Sequence, residues 1–170
     1  MRKKNLPPKN NSEENRSQVY PEPVERAFNY SLKYLSYRDR SVKEVYDYLL
    51  RKNFIEDTIN SVLKKLIDLK FLNDEEFARQ WIESRQKHKG RSKFILKNEL
   101  RLKGLNGDII ESLLKEAQDD FETARILFDK KKKTLGKLPP DQFKKKMGGF
   151  LQRKGFSFEV ITKLLRKANV

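Results

Sequence analysis

Cysteine is absent from the 170-residue chain and histidine occurs once. Disulfides and thiolate metal sites are therefore excluded, and a reducing compartment suits the chain. The lone imidazole, His88, stands beside Lys87, Lys89 and Gly90 in an expected loop. With no second histidine or cysteine near it, neither a metal site nor a His-based catalytic group has partners to work with. Long apolar runs are also missing: none exceeds four residues, against the roughly 20 that a membrane-spanning helix needs. Neither phosphate-binding loop pattern, G-x-x-x-x-G-K-[ST] or G-x-G-x-x-G, occurs. The acidic clusters Asp74-Glu75-Glu76 and Asp119-Asp120 fall at expected helix starts, where the dipole and capping account for them. No carboxylate pair is set among apolar neighbours that would raise a pKa. The residues thus point to no enzyme and to no cofactor or metal. Met1-Arg2-Lys3-Lys4 has the charge of a signal-peptide start, but Asn5-Leu6-Pro7-Pro8 stands where its apolar core should be. A cytoplasmic protein without a membrane partner is expected.

What is present is charge. Lys and Arg number 39 against 24 Asp and Glu, a formal net charge of +15, while hydrophobic residues make up only 36%. So thin an apolar supply suits small helical bundles better than one large globule. The basic excess points to a polyanionic partner, with nucleic acid ahead of a membrane surface.

Residues 1–23 are polar, carry Pro7, Pro8, Pro21 and Pro23, and show no helical period, which reads as a disordered arm. From Val24 onward apolar residues recur three and four apart, and period-two alternation is absent. Aligning the helix ends exposes a repeat of 51 residues: Leu49, Leu100, Leu151; Lys52, Lys103, Lys154; Asn53, Gly104, Gly155; Phe54, Leu105, Phe156; Ile59, Ile110, Ile161; Leu63, Leu114, Leu165. Asp57, Asp108 and Glu159 keep the same step. The Asn/Gly position follows a helix ending in basic residues, where a left-handed residue terminates the helix and cations suit its negative end. The acid lies in the first turn of the helix that follows, again matched to the dipole.

A further helix precedes this pair in each copy, running from Glu25 to Tyr37 in the first. In the second, Asn73 caps and Glu76 completes a capping box; in the third, the start lies near Asp119. Ala27 and Ala78 are 51 apart, but Ala124 comes five residues early, and a linker from Lys130 to Leu138 is expected to absorb the difference. Ser41 and Glu44 cap the second helix of copy one, and Pro139-Pro140 opens that of copy three. The expected fold is all-α: three tandem three-helix repeats, helix-turn-helix-like, elongated and curved, over 24–70, 71–118 and 119–170.

The arm carries about +2, the three repeats +3, +2 and +8. Candidate contact residues for a polyanion are Lys130, Lys131, Lys132 and Lys133, then Lys144, Lys145 and Lys146. To these we add Lys87, Lys89, Arg91 and Lys93 around Gly90, with Arg38 and Arg40 in the equivalent loop of copy one. Base-specific reading is disfavoured, because the helix that would enter the major groove opens with Glu56-Asp57, Gly107-Asp108 and Phe158-Glu159. Backbone contact to single- and double-stranded DNA without sequence specificity stays open. Trp81, Phe77 and Tyr46 fall on apolar helix faces, which favours packing over base stacking.

Leu72-Asn73-Asp74-Glu75-Glu76-Phe77-Ala78, then Lys89-Gly90, then Glu99-Leu100-x-x-Lys103-Gly104-Leu105, resembles the RecX family of recombination regulators. Arg40-Ser41-x-x-Glu44-Val45 with Leu49-x-x-Lys52-Asn53-Phe54 resembles its first repeat, and Gly155-Phe156 with Ile161 and Leu165 its third. The resemblance covers about residues 24–168; Asn53 departs from it by replacing the usual glycine. It implies a non-enzymatic, monomeric protein that lies in the groove of the RecA recombinase filament and suppresses ATP hydrolysis, strand exchange and coprotease activity. Two other readings remain open: a sequence-independent architectural DNA-binding protein, and a helical scaffold for another acidic protein.

Overall fold

The computed structural model describes residues 22–168 and contains, among them, nine α-helices and no strand. The helices α1 (Glu22–Leu35), α2 (Val42–Arg51) and α3 (Glu56–Asp68) form a first unit. A second consists of α4 (Asp74–Lys89), α5 (Lys93–Leu102) and α6 (Gly107–Glu116). The third consists of α7 (Asp120–Leu135), α8 (Pro140–Arg153) and α9 (Phe158–Lys167). The expected arm lies outside the described residues except for Glu22 and Pro23, which open α1 instead of preceding it. Proline is tolerated there because the first turn has no intrahelical N–H bond to lose.

Each unit closes its own core. Leu49, Leu100 and Leu151, one per unit, are fully buried, and so are Ala27, Ala78 and Ala124 on the preceding helices. The alanines let the first helix of each unit approach closely, and each buried leucine contributes on the order of 2 kcal/mol. The three apolar clusters are separate, so the array extends as a chain of small bundles, elongated and curved, rather than collapsing around one centre.

The 51-residue period is also a period of backbone geometry. The residue after the second helix is left-handed in every unit: Asn53 at φ 62°, Gly104 at 83° and Gly155 at 89°. In each case the next N–H reaches back to the buried leucine's carbonyl: Phe54 to Leu49 (3.3 Å), Leu105 to Leu100 (3.2 Å) and Phe156 to Leu151 (3.3 Å). That bond closes the helix and drives the following apolar residue into the core.

Capping follows the expected pattern with one difference. Ser41 and Glu44 form a complete capping box, and Asn73 accepts from the Glu75 and Glu76 N–H groups. The Glu76 carboxylate does not return the bond; it accepts from Gln80 at 2.9 Å.

Two expected loops are helical. Lys130–Lys133 belong to α7, which runs on to Leu135, so the linker expected from Lys130 does not exist. Lysine is a good helix former, no glycine intervenes before Gly136, and cations in a last turn complement the dipole. The five-residue offset is taken up elsewhere: α8 is four residues longer than α5 (14 against 10), and one further residue enters the loop before it. Likewise Lys87, His88 and Lys89 form the last turn of α4, which ends at left-handed Gly90 (φ 54°).

Asn53 and the two glycines differ in what surrounds them. A Cβ on Gly104 would lie 2.6 Å from the Lys43 side chain of the first unit, and one on Gly155 would collide with Ser92 and Ile95 of the second. Replacing Gly155 or Gly104 by alanine is therefore expected to cost about 2–4 kcal/mol, from the left-handed backbone plus overpacking. Asn53→Ala should cost only ~1 kcal/mol, since its penalty is the backbone alone. Urea unfolding of the three variants checks the order; equal losses at 53 and 155 would refute the close-approach argument.

Candidate nucleic-acid interface

The units meet where the carboxyl end of one second helix reaches the amino end of the second helix before it. The Ser41 hydroxyl donates to the Lys103 carbonyl at 2.7 Å, and the Ser92 N–H donates to the Lys154 carbonyl at 3.1 Å. Beside these bonds an aspartate of the following unit caps the same helix: Val42 N–H to Asp74 and Lys93 N–H to Asp120, both 2.8 Å. Burial raises both carboxyls against the lowering effect of those N–H groups.

The first junction also holds a charge cluster. Glu44 accepts from Arg38 (2.7 Å) and from Lys103 of the second unit (2.6 Å), and Arg40 lies 3.8 Å away. Burial alone would raise the Glu44 pKa; hydrogen bonds from Arg38, Lys103 and the Ser41 N–H outweigh it and lower it from 4.5 to about 2. At the second junction no carboxylate stands at this place, and the Lys154 ammonium donates to the Lys89 carbonyl at 2.7 Å. Burial, with the charges of Arg91 and Lys89, lowers its pKa.

Between the first and second helix of each unit lies one recurring slot with three different fillings. In the first unit Tyr34 stacks on Tyr48 with ring centroids 4.1 Å apart and planes at 9°, and Arg40 lies 3.9 Å above Tyr34. In the second unit Arg85 and Glu99 take those two places as an ion pair at 3.4 Å. Trp81 donates to the same Glu99 at 2.8 Å, under the Arg85 guanidinium 4.0 Å away. In the third unit the places belong to Lys131 and Phe150, and the slot is an open groove of about 610 Å³.

This geometry sorts the candidate residues. Lys131, Lys145 and Lys146 line the third unit's groove together. Lys87 and Lys130 line a second cleft, between α4 and α7, with His88 and Gly90. Lys132, Lys133 and Lys144 are exposed, and none of the seven lysines of the two runs has an ion-pair partner among the described residues. Arg38, Arg40 and Arg91 instead pair with carboxylates: exposed Arg38 and part-buried Arg40 with Glu44, and part-buried Arg91 with Glu99 at 3.8 Å. The Nε atoms of Arg40 and Arg91, 51 residues apart, are buried without a hydrogen-bond partner. Lys89 and Lys93 sit at the second junction, each contributing a main-chain group to it. Phe150, Arg153 and Gln142 line the groove and were not among the expected contacts. The signal was the 51-residue series Tyr48, Glu99, Phe150, which varies in chemistry at one structural place. Among the described residues no helix is long and apolar enough to cross a membrane, and no cluster of three metal-ligating side chains occurs.

Three short bundles with private cores, joined through hydrogen bonds at helix ends, define a tandem helical-repeat protein. Models of the first, second and third three-helix domains of RecX match residues 27–66, 73–114 and 118–165, in that order. The chain therefore belongs to the RecX family. It is 37% identical over 155 residues to the regulatory protein RecX of Bacillus pumilus, covering 88% of this chain and 57% of that one. With its Bacillus subtilis counterpart it shares 38% over 145 residues, covering 84% and 55%. The chain thus spans little more than half the length of these relatives. The crystal structure of RecX from Lactobacillus salivarius superposes with a TM-score of 0.74 at 28% identity, over 86% of this chain and 97% of that one.

Because the folded pKa of Glu44 lies below its unfolded value, its stabilisation is complete above about pH 4.5 and is lost as pH falls towards 2. Glu44→Gln should then cost roughly 2 kcal/mol at pH 7, after discounting for water at the junction rim. The gap between variant and wild type should shrink as the pH drops to 2.5. Melting curves at pH 7, 4 and 2.5 check it; a gap independent of pH would refute the ion cluster's role.

Proposed function

We propose that this chain regulates the RecA recombinase by binding the RecA–DNA filament and inhibiting its ATP hydrolysis, strand exchange and coprotease activity. Family membership across all three units is the observation that carries this reading. The physics agrees with it. A DNA-bound recombinase filament offers phosphate and acidic surface along a groove, and a row of small units can span neighbouring subunits. Several weak contacts made at once supply the strength. The chain's own part is to bind and hold; the nucleotide chemistry belongs to the filament. The unpaired lysines of α7 and α8 are the contact face this reading uses.

The same lysines favour a second reading, a DNA-binding architectural protein indifferent to RecA. RecA ATPase on single-stranded DNA, titrated with substoichiometric protein, separates the two. The regulator lowers hydrolysis and co-sediments with the filament while most DNA is unbound. Unchanged hydrolysis under those conditions selects the architectural reading. Replacing Lys130–Lys133 with glutamine should weaken filament binding by about tenfold or more at physiological salt while leaving the fold intact. Equal affinity, measured by co-sedimentation, would remove that run from the interface.

A further inference from the structure

The third unit's slot differs from the other two in being unfilled. In the first unit a flat ring, Tyr34, lies face to face on the residue corresponding to Phe150 and is covered by Arg40. The slot is therefore shaped to take a planar ring between an aromatic floor and a cation. In the third unit the floor remains as half-buried Phe150, but Tyr34's counterpart is Lys131, so the ring is missing and the cations are multiplied. Lys131 and Lys154 stand 5.6 and 5.8 Å from the Phe150 ring. Lys145, Lys146 and Arg153 complete the walls; Gln142 adds an amide, and no acid lines the groove. None of these five cations has an ion-pair partner among the described residues, whereas Arg85 and Arg40 at the other two slots are paired. Burial, with the like charges of Arg91 and Lys89, lowers the Lys154 pKa, a cost that a nearby anion would offset.

We propose that this groove binds single-stranded nucleic acid, one unpaired base stacking on Phe150 where Tyr34 stacks in the first unit, with the flanking phosphates held by Lys131, Lys145, Lys146 and Arg153. A duplex keeps its base faces covered and could use only the lysines. An acidic protein segment would satisfy the cations but leave the aromatic floor without a flat partner. Stacking is indifferent to base identity, so the site selects strandedness rather than sequence. Gln142 carries both a donor and an acceptor, enough to meet any base edge without reading it. The proposal goes beyond the regulatory reading, since it concerns bare nucleic acid and needs no recombinase.

The test uses the full chain, a labelled oligo(dT) strand and a hairpin duplex of the same length, with binding read by fluorescence anisotropy from 50 to 200 mM salt. Phe150→Leu keeps an apolar side chain under the groove and removes the flat face. It should weaken single-strand binding by about 5- to 10-fold with the salt slope unchanged, and leave duplex binding as it was. Phe150→Tyr should bind like wild type, which separates lost stacking from lost folding. Lys131→Gln with Lys145→Gln should flatten the single-strand salt slope by about 1.4. Undiminished single-strand binding by Phe150→Leu, or equal loss on strand and hairpin, would overturn the site, as would a lysine pair that matters for the RecA filament but not for the oligonucleotide. RecA ATPase inhibition, scored in parallel, fails or survives independently.

Discussion

The carbonyl of the lysine after the second helix of the second and third units joins each of them to the unit before it. Once the next residue turns left-handed, the Lys103 and Lys154 carbonyls are released from the helix ladder and point at the preceding unit. There they meet the buried caps Ser41 and Ser92. A buried carbonyl without a donor, or a buried serine without a partner, would cost about 1–3 kcal/mol, so each junction holds its angle by polar satisfaction rather than by a shared apolar core. These bonds join units whose three cores stay separate. The junctions also explain why Gly104 and Gly155 are glycines: the preceding unit comes too close for a Cβ, whereas Asn53, in the first unit, has no preceding unit against it among the described residues.

Given rigid junctions, the units can differ in chemistry without differing in shape. The slot between first and second helices takes a ring pair, an ion pair or an open cationic groove, while the backbone around it repeats. Filling the slot also consumes charge. In the first unit Arg38 and Arg40 are held by Glu44, and in the second Arg85 and Arg91 are held by Glu99. The third unit has no acid at either place, and its groove cations have no ion-pair partner among the described residues. Net charge by segment, +3, +2 and +8, follows the same contrast, since the acids that pair with cations in the first two units are already subtracted in it.

Most of the architecture was legible because periodic packing leaves periodic residues: Leu49, Leu100 and Leu151 are in register because they sit at the same depth in the same bundle. The left-handed position showed itself for a related reason, since few residues other than glycine and asparagine tolerate it. Helix ends were harder. Lys130–Lys133 look like a solvated loop by polarity alone, and only helix propensity with the absence of a breaker before Gly136 argues otherwise. Basic residues were hardest of all. Arg40 and Lys145 look alike in a charge count, but one lies over a tyrosine with its side chain 13% exposed and the other lines an open groove. That difference depends on whether an acid such as Glu44 or Glu99 stands opposite in space, which sequence spacing within one unit does not state.

The acids at the starts of α3, α6 and α9 then acquire a second meaning. They satisfy helix dipoles, but they also place negative charge where a helix-turn-helix protein would meet base edges. A protein that needed to find one DNA sequence would not keep Glu56 and Asp57, Asp108 and Glu159 at that edge. A protein meant to follow a nucleoprotein filament loses nothing by them, because register along a filament comes from repeated subunits, not from bases. On the proposed reading, two less basic units leading to one strongly cationic unit would set spacing with the first two and hold phosphate with the last. Under that division of labour the stiffness of the serine–carbonyl junctions matters as much as the lysines. Avidity along a filament is gained only if the second contact falls where the first contact's geometry puts it.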